Sequence, residues 1–123
     1  MYSTIKSVQL LTALLKKYNI NKLVLSPGGS DIPIIHSLEN DDFFECHSVV
    51  DERSAVYYGI GLAQQTKSPV ACICTSGTAV SNYLPGMTEA FYQDVPIVAI
   101  TADKDPYRLN QLMLQKTQQV NIF

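Results

Sequence analysis

Four short apolar segments, beginning at Leu23, Cys46, Val70 and Ile97, recur 23, 24 and 27 residues apart, with helix-like intervals between them. No other feature constrains the fold as strongly. Parallel strands cannot be joined by tight turns, and each crossover needs roughly a dozen or more residues, usually a helix. Val70-Ala71-Cys72-Ile73-Cys74 and Ile97-Val98-Ala99-Ile100 are apolar at successive positions, the pattern of strands covered on both faces. The expected fold is α/β, an open doubly wound parallel sheet with helices on both faces.

The spacing of apolar residues predicts the elements. Residues 4–18 read as an amphipathic helix with Ile5, Val8, Leu11, Leu15 and Tyr18 on one face, Leu14 beside them, and Asn19 as its C-cap. A strand over 23–25 stops at Ser26-Pro27-Gly28-Gly29, and a helix follows over 31–38. A strand over 44–49 runs into a helix that opens at Asp51. A strand over 70–74 leads to a helix opening at Ser76-Gly77-Thr78, in which Pro85 is expected to introduce a bend, and a last strand covers 97–100. The segment 110–123 is polar with scattered apolar residues and carries no terminating signal, as in an N-terminal fragment of a larger enzyme.

A chain of 123 residues supports one core, so residues 1–123 are read as a single domain. The net charge of −2, with no basic cluster beyond Lys16-Lys17, gives no electrostatic footprint for nucleic acid. No apolar run is long enough to span a bilayer, and no charged region precedes an apolar core at the N-terminus. Neither nucleic acid nor membrane is expected as a partner. Cys72 and Cys74 share one strand, and His36 and His47 match no ligand spacing with them. Reduced, buried thiols in a cytoplasmic protein are expected, with no metal site on this chain.

All four strands end in distinctive residues: Ser26-Pro27-Gly28-Gly29-Ser30, Asp51-Glu52-Arg53, Thr75-Ser76-Gly77-Thr78 and Thr101-Ala102-Asp103-Lys104. Ligands of open parallel sheets sit beyond the carboxyl ends of the strands, so four such ends in register point to a site. The glycine-rich turn lacks both the GxGxxG spacing and a Walker lysine, and alone it reads as a tight strand-to-helix turn. The Thr75-Ser76-Gly77 end leaves backbone N–H groups available to a ligand. It is not a hydrolase elbow. Asp51 suits a helix cap, and a carboxylate at Glu52, between two apolar elements, is costly unless it is paired or used. Tyr57 and Tyr58 read as core or interface aromatics rather than catalytic phenols.

Taken together, SPG, VDERSA, CTSGTA, Asn82 and ITAD, in this order, resemble the N-terminal, pyrimidine-binding domain of thiamine-diphosphate-dependent enzymes. Within them the chain is most similar to the 2-succinyl-5-enolpyruvyl-6-hydroxy-3-cyclohexene-1-carboxylate synthases of menaquinone biosynthesis, from about Lys22 to Phe123. The resemblance implies that Glu52 is the catalytic, cofactor-activating glutamate, hydrogen-bonded to the pyrimidine N1′ and promoting loss of the thiazolium C2 proton. It places Thr75, Ser76, Gly77 and Asn82 around the cofactor, and Gly29, Ser30, Lys104 and Gln115 on the substrate side. It further implies Mg²⁺ held by a diphosphate-binding domain of a partner subunit, a homo-oligomer, and a 2-oxo acid that is decarboxylated, with or without addition of the carbanion to an acceptor.

Four positions depart from the family pattern. Gly29-Ser30 stands where the family has Ser-Arg, Lys104 replaces an arginine, and Leu114 replaces the asparagine before the substrate-side Gln115. Cofactor activation is intact in the sequence and substrate recognition is altered. Another 2-oxo acid, a non-catalytic binding domain of the same fold, or an ordinary dinucleotide-binding domain are the alternatives.

Overall fold

A computed structural model of the chain describes residues 3–105, 107 and 117–123. Four helices and four strands alternate: α1 (Lys6–Lys17), β1 (Lys22–Ser26), α2 (Ile32–Glu39), β2 (Glu45–Ser48), α3 (Glu52–Thr66), β3 (Val70–Cys74), α4 (Thr78–Tyr92) and β4 (Ile97–Thr101). The strands form one parallel sheet in the order β2-β1-β3-β4. The register runs straight across it, with Leu23 beside Cys46 and Ala71, and Ala71 beside Val98. This is the doubly wound α/β arrangement expected from the strand spacing.

Alternation along β1 and β3 divides the core in two. Val24, Val70, Cys72 and Cys74 pack on one face with Val56, Ile60, Val80 and Tyr83 from α3 and α4. Leu23, Leu25, Ala71 and Ile73 pack on the other with Leu15 of α1 and Ile35 and Leu38 of α2. β1 and β3 are central and buried along nearly their whole length, which is why their sequences are apolar at consecutive positions. β2 is an edge strand, and its ends are exposed. The buried strand expected before Asp51 is therefore only half covered.

Cys72 and Cys74 are buried free thiols, and burial pushes both up to about 12. Their thiol protons stay in place at neutral pH. The Tyr83 ring is also fully buried, and its hydroxyl lies close to Cys74 and Ser26 without meeting hydrogen-bond geometry with either. Burial, above all, raises its pKa.

Several local expectations shift. α1 buries Val8 and Leu15, while Ile5 and Tyr18 lie in solvent. Its C-cap is Tyr18, and Asn19 follows it in the left-handed conformation with φ 55°. α4 continues through Pro85 to Tyr92. Tyr57 and Tyr58 are 43 % and 46 % exposed, so neither is a core residue, and the Tyr58 hydroxyl bonds His47 Nδ1 at 3.1 Å.

α3 and α4 lie side by side over the sheet, and one close approach sets their separation. A Cβ on Gly86 would stand 2.5 Å from Val56 Cγ1 and 2.7 Å from Val56 Cβ. Val56 is short and fully buried, so it has no flexible end to move aside. Gly86→Ala should therefore destabilise the protein by about 1–3 kcal/mol despite alanine's better helix propensity. Adding Val56→Ala should recover part of that loss. Chemical denaturation checks both, and a neutral Gly86→Ala would contradict this account of the helix pair.

Candidate functional site

From β1 the chain moves to one side of the sheet, to β2, and from β3 it moves to the other, to β4. The switch point thus lies between β1 and β3, and a crevice beyond their carboxyl ends is where ligands of such sheets bind. Two turns meet there. The Ser30 backbone N–H donates to Thr75 Oγ1 at 3.2 Å, and the Ser30 and Ser76 hydroxyls are 3.2 Å apart. Gly28 comes so near Thr75 that a Cβ would lie 2.5 Å from the threonine Cβ. Ser30, Thr75 and Ser76, expected on substrate and cofactor sides, are fastened to one another. Gly29 faces open space.

Glu52 opens α3 beside this crevice. Asp51 is the N-cap, its Oδ1 accepting from the Ser54 N–H at 2.8 Å. That hydrogen bonding lowers the Asp51 pKa. Capping by Asp51 leaves the Glu52 carboxylate to other uses, in a first turn where the helix dipole favours negative charge. Asn82, in the first turns of α4, donates from Nδ2 to Glu52 Oε2 at 3.4 Å. Val56 and Gly86 lie one turn further along each helix, so their contact brings this pair together. At 3.4 Å the bond is longer than the usual range of about 2.7–3.2 Å, and it is weak enough to be exchanged for a ligand's. Glu52 is half-buried rather than enclosed, because β2 before it is an edge strand.

The turn at the end of β3 differs from the sequence expectation in one respect. Gly77 takes φ 85° and ψ −131°, a conformation that favours glycine, but its N–H is not open to a ligand. It donates to Gln119 Oε1 at 2.7 Å. Lys104 is half-buried beyond β4, with its backbone N–H bonded to Asp103 Oδ1 at 2.7 Å. Gln115 and Leu114 lie outside the described residues. A groove of about 360 Å³ opens beside Ser30 on the α1–α2 face, walled by Ile5, Val8, Leu11, Ile34 and Ile100. Among the described residues, no three His, Cys, Asp or Glu side chains come together as a metal-binding set.

Sequence reasoning passed over Asp31 and Gln119. Asp31 is fully buried at the N-cap of α2. Its Oδ1 accepts from the Gly28 N–H at 2.8 Å, closing the glycine-rich turn, while Oδ2 has no hydrogen-bond partner. Burial is the main cause that raises its pKa, two backbone hydrogen bonds oppose the shift, and the nearby Glu52 charge adds to it. An aspartate three residues after a turn glycine is the available signal, since Asx side chains close such turns. For Gln119, in a polar stretch, no local signal exists.

The Asp31 shift has a defined pH consequence. Its folded pKa lies above the ordinary 3.8, so between those values the folded state holds more protons than the unfolded one. Stability from this group is therefore present at low pH and is lost as pH rises through the folded value. Asp31→Asn removes the loss. The melting-temperature difference, variant minus wild type, should grow from pH 4 to pH 7, and a flat or shrinking difference would contradict the assignment.

The sequence matches the family described as "Thiamine pyrophosphate enzyme, N-terminal TPP binding domain" over residues 5–122. It is 44% identical over 123 residues to a 2-succinyl-5-enolpyruvyl-6-hydroxy-3-cyclohexene-1-carboxylate synthase of Phocaeicola vulgatus, covering 100% of this chain and 22% of the relative. It is 45% identical to the Bacteroides fragilis synthase of the same name and 37% identical to that of Flavobacterium psychrophilum, with the same coverage. The chain thus spans about a fifth of the length of the curated relatives it matches. A doubly wound sheet, a glutamate at the head of α3 facing Asn82, and a family match across almost every residue lead to one assignment: this chain belongs to the N-terminal, thiamine-pyrophosphate-binding domains of thiamine pyrophosphate enzymes.

Proposed function

We propose that this chain is the pyrimidine-binding domain of a thiamine-diphosphate-dependent decarboxylase or carboligase, with Glu52 as the cofactor-activating residue. The observation that carries the reading is the Glu52–Asn82 pair at the carboxyl end of the sheet. One carboxylate oxygen is loosely held by Asn82, and the other has no hydrogen-bond partner among the described residues. A half-buried carboxylate so placed fits the edge of an aminopyrimidine, which presents a ring nitrogen able to share a proton with it.

Each residue has a task in this proposal. Glu52 holds a proton at the pyrimidine N1′, and Asn82 keeps the empty carboxylate turned toward the crevice until the ligand takes its place. Thr75 and Ser76 shape the wall of the crevice through their bonds to Ser30. Gly77 contributes backbone shape rather than its N–H. When bound, thiamine diphosphate supplies the nucleophilic carbon and the electron sink for decarboxylation of a 2-oxo acid. The family resemblance assigns Mg²⁺ and the diphosphate to a diphosphate-binding domain of a partner subunit.

Substrate selection falls to Gly29, Ser30, Lys104 and Gln115. Ser30 carries no charge where the family has arginine, and its hydroxyl is engaged by Ser76. Among the described strand-end residues, Arg53 and Lys104 carry the positive charge available to an acidic substrate. The groove beside Ser30 is apolar on its α1–α2 walls and bordered by Thr101 and Asp103, so it adds no positive charge for an acidic substrate. Phe91 and Tyr92 are 76 % and 78 % exposed on α4, which supports a packing partner in a homo-oligomer. No described helix is long and apolar enough to cross a membrane, and a cytoplasmic location goes with the proposal.

The altered substrate turn favours one second reading, a binding domain without catalysis. Exchange of the thiazolium C2 proton in the intact protein, with thiamine diphosphate and Mg²⁺, separates the two. Glu52→Gln should keep the fold and most cofactor affinity while slowing exchange by about 10²–10⁴-fold. Near-normal exchange in the variant would remove Glu52 from the role given to it. A wild type that binds the cofactor without accelerating exchange would favour the binding domain.

A further inference from the structure

Gln119 joins the ends of two strands through one side chain. Its Oε1 accepts from the Gly77 N–H at 2.7 Å, and its Nε2 donates to the Ala102 carbonyl at 2.9 Å. The orientation of the amide is fixed by its partners, since a backbone N–H demands the oxygen and a carbonyl demands the nitrogen. Gln119 is itself held in place. The Ile122 N–H bonds the Gln119 carbonyl at 3.3 Å, and Ile122 packs against the core cluster beneath α3 and α4.

The regular elements do not need this clamp. The β3–β4 ladder closes with Ala102 N–H on the Cys74 carbonyl at 3.0 Å, and the Val80 N–H bonds the Gly77 carbonyl at 3.0 Å. Gly77 precedes α4 and has no side chain with which to cap it. What the clamp fixes is the turn over residues 75–77, whose Thr75 and Ser76 hold Ser30 across the switch point.

We propose that Gln119 is a positioning residue of the cofactor site, holding the 75–77 turn in the shape that receives thiamine diphosphate. The proposal rests on the cofactor reading above. Replacing the amide by a carboxyl tests it, because a neutral carboxyl can still accept from Gly77 and donate to Ala102, whereas a carboxylate can only accept and would repel the Ala102 carbonyl. Gln119→Glu should therefore add a pH dependence to that of the wild type, read as the ratio of variant to wild-type affinity at each pH.

The experiment uses the intact protein with thiamine diphosphate and Mg²⁺, measured by calorimetry at pH 4 and pH 8, together with hydrogen exchange of the peptide over residues 75–80. Gln119→Ala should weaken cofactor binding about tenfold and speed exchange at Gly77. Gln119→Glu should bind within about threefold of wild type at pH 4, where an ordinary glutamate is mostly neutral, and about tenfold more weakly at pH 8. If Gln119→Ala does not fold, the Gln119→Glu series still decides. Affinities equal to wild type at both pH values, with Gly77 exchange accelerated, would overturn the positioning role and leave the cofactor reading standing. A wild type that binds no thiamine diphosphate would instead overturn the cofactor reading, and the role of Gln119 with it.

Discussion

The contact between Val56 and Gly86 governs the geometry of the candidate site. α3 and α4 both start at the carboxyl edge of the sheet, and with no side chain at Gly86 they approach until Val56 fills the space. One turn nearer the sheet edge on each helix stand Glu52 and Asn82, and the same separation brings them within hydrogen-bonding reach. A wider gap would leave the carboxylate in solvent, and a different rotation would aim it elsewhere. Helix packing thus becomes a chemical distance.

Negative charge dominates the buried side of the crevice, with Arg53 on its outer side acting on Asp51. Asp31 is buried with an unpaired oxygen, and the Glu52 charge adds to its raised pKa. Cys74, at the end of β3, is pushed up to about 12 by burial, and it also feels the Glu52 and Asp31 charges. The described cations do not form ion pairs with Glu52 or Asp31, and the strand ends carry two described cations, Arg53 beside Glu52 and Lys104 beyond β4. A crevice with this balance suits a ligand that brings its own proton or positive charge to the acidic side, as the aminopyrimidine and thiazolium rings do.

Much of this was legible in the sequence, for identifiable reasons. Strand spacing gave the parallel sheet because crossover helices have a minimum length. Asp51 was legible as a cap because capping is local, and Glu52 was legible because a carboxylate beside buried elements demands a use. What sequence reasoning missed depends on contacts between distant segments. The exposure of β2 follows from its edge position, and its polar residues Glu45, His47 and Ser48 carried that signal unused. Asp31 is buried by α2 folding back over the sheet, and Gln119 meets Gly77 across 42 positions of sequence. Periodicity carries no information about such pairs. The family resemblance reached Glu52 and Asn82 as separate positions, and the fold brought them within 3.4 Å.

The most direct test of the central claim is a crystal structure of the intact protein with thiamine diphosphate and Mg²⁺ bound. The account predicts the pyrimidine N1′ within hydrogen-bond distance of a Glu52 carboxylate oxygen, above the turn formed by Thr75, Ser76 and Gly77. A cofactor seated elsewhere, or a Glu52 side chain turned to solvent with the cofactor in place, would contradict it.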